Sequence, residues 1–395
     1  MAAIAAHRTS WKLAAALAAL ALAYIYRGGP TLPHTPFLAP TTTPATTRTA
    51  MSTQKALVVL EPKGAFAVQD RDIQEPGAGE VLVELRATAL NPVDWKIQAF
   101  DFFITEYPAV LGTDGAGVVV KVGAGVTNVA VGDKVLFQGY FDNRRATFQQ
   151  YAVVASEIVA KIPPNLSFEE ASTIPLTLAT AALALYSPKP QGIALAAPWE
   201  AGNRGKYAGE PIVVIGGSSS VGQQVIQFAR LSGFSPIITT ASPSNSALLK
   251  SLGATHIIDR SAPLSELPAA VQAITSAPVK VAYDAISAPD TQNAAYDVLA
   301  PGGKLVIVLA QAVDAGRLTP QKEVVHVFGS VQAPDNRKVG ASLYAALPGL
   351  LASGEIKPNK VEVLPGGLAG IPAGLEKLRA GVSALKLVAR PQENL

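Results

Sequence analysis

The 395-residue chain contains no cysteine. That excludes disulfides, thiolate metal sites, redox pairs and a cysteine nucleophile. It leaves the compartment open, because a thiol-free chain tolerates oxidising and reducing surroundings alike. Histidine is scarce as well. Of the four present, only His256 and His326 lie beyond the first fifty residues, each flanked by apolar residues as in a sheet. A lone histidine in such a setting reads as structural rather than as a ligand. The apolar stretch Leu13–Tyr26, 14 residues between Lys12 and Arg27, falls short of the roughly 20 needed for a stable membrane span.

Acidic residues are missing from two places. Residues 1–50 hold Arg8, Lys12, Arg27 and Arg48 but no Asp or Glu, so the formal charge of +3 belongs to this leader. The remainder is close to neutral, which argues against a broad basic face for nucleic acid. The leader suits a signal-peptide core, and its acid-free Ser/Thr/Arg character also suits a mitochondrial presequence. A start of translation at Met51 would remove it altogether. The location expected is therefore cytoplasmic for a chain begun at Met51, and mitochondrial or secretory for one that carries residues 1–50. The Pro/Thr-rich residues 30–50 are expected to stay extended. The second acid-free stretch, residues 211–258, bears on chemistry below.

What the chain has in plenty is apolar residues, 49%, with 33 Gly and 30 Pro, enough for a large core over roughly two to three domains. Runs at 56–60, 80–87, 116–122, Val129–Phe137 and Tyr151–Ile162 read as strands between Gly, Pro and Asp turns, hence a compact β-barrel-like unit. Ser167 is placed to cap a helix with Glu169 and Glu170 in its first turn. Residues 187–211 read as an irregular bridge over the surface. From Ile212 strands and helices alternate: strands at 212–215, 236–240, 255–258, 281–285 and 304–309, helices at 221–231, 246–252, 264–274 and 291–299. That spacing is the signature of βαβ units and a parallel, doubly wound sheet. Helices are expected at 340–353 and 372–380, and Lys386–Ala389 as a last strand rejoining the first unit.

Between the first strand and helix of that alternation lies Gly216-Gly217-Ser218-Ser219-Ser220-Val221-Gly222. Small residues there permit a tight turn and let backbone N–H groups approach a pyrophosphate at the helix start. The run departs from strict G-x-G-x-x-G, and an ordinary tight connection is the plain alternative. An NAD site normally has an acid about 20 residues further on to hold the ribose 2′-hydroxyl. Here the second strand leads into Ser242-Pro243-Ser244-Asn245, whose hydroxyls and amide suit a 2′-phosphate, with Lys250 or Arg260 to add charge. The expected cofactor is NADPH. The same hydroxyls also suit capping of the next helix.

With these residues in view, the chain resembles the medium-chain dehydrogenase/reductase superfamily along nearly all of 51–395. The resemblance is carried by Asn91-Pro92-Val93-Asp94-Trp95-Lys96, Gly112-Thr113-Asp114-Gly115-Ala116-Gly117, Val131-Gly132-Asp133, the Gly216–Gly222 turn, Ser251-Leu252-Gly253-Ala254 and Pro301-Gly302-Gly303. A finer likeness, to the stand-alone enoyl reductases that serve fungal polyketide synthases and to quinone-oxidoreductase-like proteins, rests on Leu364-Pro365-Gly366-Gly367-Leu368 and Ser383-Ala384-Leu385-Lys386-Leu387-Val388. It implies a GroES-like substrate domain at 51–185, a Rossmann NADPH-binding domain at 186–335, and a segment at 336–395 returning to the GroES-like domain. Zinc-dependent members carry a Cys near the position of Asn91 and a His–Glu pair where Thr113-Asp114 stand, so no metal is expected here.

The resemblance puts Pro92, Val93, Asp94 and Trp95 beside the nicotinamide, Gly216, Ser218, Ser219, Ser220, Val221 and Gly222 at the pyrophosphate, and Ser242, Pro243, Ser244, Asn245 and Arg260 at the adenosine phosphate. Val308 and Leu309 would line the nicotinamide edge, and Ser383 through Lys386 would close over it. Hydride would pass to the β-carbon of an activated C=C, with Lys96 as first candidate for proton donor or enolate partner. Asn91 and Thr180 are weaker catalytic candidates, and Tyr140 a candidate for the substrate cleft. A quinone or enone reductase is the close rival, and a catalytically silent NADP-binding scaffold the distant one. A serine hydrolase is set aside, because Ser220 takes the last Gly position of G-x-S-x-G. Expected partners are a small-molecule or carrier-bound enoyl substrate and a polyketide synthase, with the chain a monomer or homodimer and no stable membrane span.

Overall fold

The computed structural model describes residues 52–393; the expectations for the leader and for Met51 lie outside them. Short strands with alternating burial build the first half. Strand β1 (Thr53–Val59) pairs antiparallel with β2 (Phe66–Asp72). The long β3 (Glu80–Ala89) leads into helix α1 (Pro92–Phe100), and the two-residue β4 (Ala109–Val110) returns to β1. Next, β5 (Asp114–Val122), β6 (Lys134–Gln138), β7 (Tyr151–Ala155) and β8 (Val159–Lys161) wrap onto β3 in a second, mainly antiparallel sheet.

One sequence expectation changes here. The run Val129–Phe137 becomes a strand only from Lys134, because Gly132 at φ +92° and the Asp133 carboxylate accepting the Ala130 N–H (2.8 Å) make a turn first. The segment after Asn91 forms a helix. Pro92 fits its first position, and the Asp94 carboxylate reaches back to the Asn91 N–H at 2.7 Å.

Ser167 caps as expected, exchanging hydrogen bonds with Glu170 at 3.1 and 2.9 Å. Its helix α2 (Phe168–Ser172) soon stops, and α3 (Pro175–Tyr186) restarts with Pro175 in its first turn. Nearly every residue of α3 is buried. A helix apolar all round belongs inside, and α3 forms the joint between the two halves of the molecule. The bridge 187–211 is irregular as expected but does not merely cross the surface: Ile193 and Ala197 are buried, and Trp199 Nε1 donates to Ser342 Oγ at 3.0 Å.

The second half alternates as expected. Strand β9 (Ile212–Ile215) is followed by α4 (Ser220–Ser232), β10 (Ile237–Ala241), α5 (Ser246–Leu252), β11 (His256–Asp259), α6 (Leu267–Ile274), β12 (Val281–Asp284), α7 (Pro289–Asp297), β13 (Lys304–Ile307) and β14 (Glu323–His326). The six strands form one parallel sheet in the order β11-β10-β9-β12-β13-β14. The order reverses between β9 and β12, and in such sheets the crevice at that reversal, beyond the carboxyl ends of the strands, is where ligands bind. The chain ends with α8 (Arg337–Ala352), β15 (Lys360–Val363), α9 (Gly367–Ala380) and β16 (Leu385–Ala389). Strand β16 pairs antiparallel with β3 through Val388 and Ala89, so the C-terminal segment returns to the first half. Among the described residues no helix is long and apolar enough to cross a membrane.

Candidate active site

At the sheet reversal the β9–α4 turn is closed by its glycines. Gly216 has φ +75°, and a Cβ there would lie 2.5 Å from the Ile286 side chain. At Gly217 a Cβ would meet Thr239 Oγ1 at 2.1 Å, and at Gly222 the Gly216 carbonyl oxygen at 2.3 Å. Ser219 caps α4, its Oγ accepting the Gly222 N–H at 3.0 Å. The N–H groups of Ser220 and Val221, at the first positions of the helix, have no carbonyl partner within it. Ser218 stays partly exposed on the open side of the turn. The cradle fits a diphosphate.

The loop after β10 brings Ser242, Pro243, Ser244 and Asn245 to the same end of the sheet, with exposed Arg260 following the neighbouring β11. Asn245 Nδ2 donates to Ser383 Oγ at 3.2 Å, so two segments far apart in sequence meet beside this loop. Val308 and Leu309 follow β13, and the Val308 N–H donates to Ser287 Oγ at 2.9 Å.

Where β5, β16 and the start of α3 meet lies a buried polar cluster. The Lys386 ammonium donates to Asp114 Oδ2 (2.7 Å) and Asn91 Oδ1 (2.8 Å), with Lys386 3% and Asp114 0% exposed. Asn91 Nδ2 donates to Asp114 Oδ2 (2.8 Å) and to Thr113 Oγ1 (3.3 Å), and the Leu176 N–H reaches Asp114 Oδ1 at 2.6 Å. Of the segment Ser383 through Lys386, expected to close over the nicotinamide, Ser383 meets Asn245 and the Lys386 ammonium turns inward to Asp114. Asn91, too, is committed to this cluster. Thr180 donates its hydroxyl to the Leu176 carbonyl at 2.7 Å and packs against Gly329.

Lys96 lies one helical turn beyond the start of α1, its ammonium 5.7 Å from the Trp95 ring centroid. Arg379 lies 5.4 Å from the same ring. Burial lowers the Lys96 pKa from the usual lysine range. No carboxylate pairs with it among the described residues. Val93 packs in the same cluster as Trp95, and Pro92 is exposed. Tyr140 lies under the Arg145 guanidinium (4.5 Å) and against Phe141 (5.3 Å).

Residues 77–164 match the alcohol dehydrogenase GroES-like domain, and residues 220–331 match the zinc-binding dehydrogenase domain. The chain is 36% identical over 322 residues to the trans-enoyl reductase himH of Aspergillus japonicus, covering 78% of this chain and 89% of that one. Among solved structures, a putative zinc-dependent alcohol dehydrogenase from Rhizobium etli superposes with TM-score 0.72 at 24% identity, covering 86% of this chain and 98% of that one. A mycobacterial protein complexed with NADPH gives TM-score 0.69 at 23% identity, covering 86% and 100%. The chain belongs to the medium-chain dehydrogenase/reductase superfamily. It is an oxidoreductase of that superfamily, with a GroES-like and a Rossmann-like part.

Zinc-dependent members of the superfamily set the obvious test for the polar cluster. Asn91, Thr113 and Asp114 offer an amide, a hydroxyl and one carboxylate, and that carboxylate already accepts three N–H donors. No thiolate or imidazole joins them, and among the described residues no group of three His, Cys, Asp or Glu is placed to hold a metal. This donor set does not fit zinc.

Two residues that shape or brace the crevice are silent in the sequence. Asp284, at the end of β12, accepts the N–H groups of Ile286 (2.9 Å) and Ser287 (2.8 Å), shaping a loop that lays exposed Ile286 over Gly216. Gln138 ties the halves together, donating to the Gly329 carbonyl (2.7 Å) and accepting the Val331 N–H (2.9 Å).

Asp94 is fully buried, and its Oδ1 has no partner among the described residues. Burial first, and the Asp114 charge second among the raising influences, push its pKa to about 8 against the hydrogen bond from the Asn91 backbone. The folded protein therefore holds this proton where the unfolded chain releases it, so stability falls as pH rises from about 4 towards 8. Asn at this position resembles the protonated acid. Asp94→Asn is expected to match the wild type near pH 4 and to melt several degrees higher at pH 8. A pH-independent difference between the two melting curves would contradict the assignment.

Proposed function

We propose that the chain is an NADPH-dependent enoyl reductase that acts on the C=C of an α,β-unsaturated carbonyl or thioester without zinc. One observation carries this reading: a glycine-closed turn and an acid-free loop at 242–245 lie together at the carboxyl end of the parallel sheet, and the donor set of Asn91, Thr113 and Asp114 does not suit zinc. The 36% identity to a trans-enoyl reductase supports the substrate class, and the NADPH complex of a structural relative supports the cofactor. On this reading 51–185 is the GroES-like substrate domain, 186–335 the Rossmann domain, and 336–395 the returning segment. A carrier-bound substrate supplied by a polyketide synthase fits the same reading.

NADPH, when bound, supplies the hydride that goes to the β-carbon. The protein supplies the rest. The N–H groups of Ser220 and Val221 hold the diphosphate, and Ser242, Ser244, Asn245 and Arg260 hold the 2′-phosphate. Lys96 holds a proton on Nζ for transfer to the α-carbon, and its lowered pKa eases that transfer. Asn91 and Lys386 keep the floor of the site rigid around Asp114, and Thr180 sets the wall against Gly329.

The reading is tested by following NADPH oxidation with a 2-enoyl thioester, in the presence of a strong chelator. Turnover with NADPH, much weaker turnover with NADH, and no loss on chelation are expected. Lys96→Met should lower kcat by about a hundredfold while NADPH still binds. Turnover lost to the chelator, or seen only with alcohols, would contradict the proposal.

A further inference from the structure

Three phenylalanines from distant parts of the chain meet beside this site. Phe103 stacks on Phe141 with centroids 4.6 Å apart and planes at 21°. Phe328 closes on both, 5.8 Å from Phe103 and 6.5 Å from Phe141. Phe103 follows α1, Phe141 follows β6, and Phe328 follows β14, so the trio spans both halves. Two of them are tied to the polar cluster through Gln138 of β6, which pairs in register with Asp114, lies three residues before Phe141 and bonds the carbonyl of Gly329, next to Phe328; Phe103 joins them by its stack on Phe141.

Phe103 and Phe141 pack on the edge of a hydrophobic cluster, and Phe102 meets Phe103 edge-on at 4.8 Å, but the trio is less enclosed than the central aromatics. Tyr283, Phe137, Phe148 and Phe228 are fully buried, whereas Phe103, Phe141 and Phe328 all keep partial exposure. Phe103 also sits at φ +67°, a backbone state that is costly for a bulky side chain and that gathers at ligand sites. The neighbouring cations are used elsewhere: Arg145 lies over Tyr140, and Lys96 and Arg379 lie over Trp95. What the trio offers is an uncharged aromatic surface.

We propose that Phe103, Phe141 and Phe328 form the seat of the substrate's hydrocarbon chain, so that the enzyme prefers enoyl thioesters with several carbons beyond the double bond. This rests on the enoyl-reductase reading and adds the part of the substrate that sets specificity. A chain lying against the rings leaves water, and each buried methylene favours binding. A four-carbon thioester has only a methyl group beyond the double bond and so covers the least of this surface.

The test is a series of trans-2-enoyl N-acetylcysteamine thioesters from four to ten carbons, with NADPH oxidation as the readout. In the wild type, kcat/KM should rise about two- to fourfold per added methylene. In Phe103→Ala, Phe141→Ala and Phe328→Ala the ratio of ten-carbon to four-carbon kcat/KM should fall at least about tenfold. A wild type with no chain-length preference, or alanine variants that keep the full preference, would overturn the seat while leaving the enoyl-reductase reading intact. No turnover of any thioester would overturn both. Should the alanine variants fail to fold, saturated acyl thioesters as inhibitors of the wild type decide the matter. Inhibition that tightens with chain length supports the seat, and inhibition independent of length overturns it.

Discussion

Gly222→Ala is expected to weaken NADPH binding by about ten- to a hundredfold while the protein still folds. The added Cβ would lie 2.3 Å from the Gly216 carbonyl oxygen and 2.8 Å from the Gly217 Cα. Both are backbone atoms, so no side-chain rotation relieves the clash. The turn must open, and with it the arrangement of N–H groups that receives the diphosphate. Overpacking of this kind costs about 1–3 kcal/mol, and most of it falls on the geometry of the turn. Gly349→Ala in α8 is the matched control, because a Cβ there meets nothing within 4 Å and alanine favours a helix. Titration by quenching of protein fluorescence reads both variants. Unchanged affinity in Gly222→Ala would show that the diphosphate lies elsewhere.

Removing the Lys386 ammonium should produce the largest loss of stability. Asp114 is 0% exposed and faces this ammonium at 2.7 Å. In Lys386→Met the carboxylate keeps its Asn91 and Leu176 donors but loses the one cation paired with it among the described residues. Breaking a buried pair from one side costs about 3–5 kcal/mol. The double variant Lys386→Met with Asp114→Asn removes both charges and should recover much of that loss, because a neutral buried amide costs far less than an isolated buried charge. Denaturant unfolding of the wild type, both single variants and the double variant measures the coupling. Strictly additive effects would mean that the pair does not act as one unit.

These partners show where sequence reading stops. Lys386 stands 272 residues from Asp114 and 295 from Asn91, and no spacing rule joins such positions. Asn245 and Ser383 are 138 apart and meet only once β16 has rejoined β3. The glycine turn was legible because its parts are local: a buried strand, a tight turn and a helix start in succession. The alternation of strand and helix from Ile212 was legible for the same reason.

The missed elements have physical causes of their own. Strand β2 reads Phe-Ala-Val-Gln-Asp-Arg-Asp and is only half-buried, so it lacks the apolar run that marks a central strand. Strand β14 is four residues long at the edge of its sheet. Helix α1 hides behind a proline that suits a turn and a helix start equally well. The roles of Gln138 and Asp284 depend on contacts between segments that no single-sequence pattern records.

On the proposed function, hydride passes from NADPH to the β-carbon of an enoyl substrate. The direct measurement is to supply NADPH carrying deuterium at the transferable C4 position and locate the label in the product by NMR. Deuterium is expected on the β-carbon and a solvent-derived proton on the α-carbon, with the carbonyl unreduced. Deuterium on the carbonyl carbon would make the protein a carbonyl reductase, and a product without label would contradict direct hydride transfer.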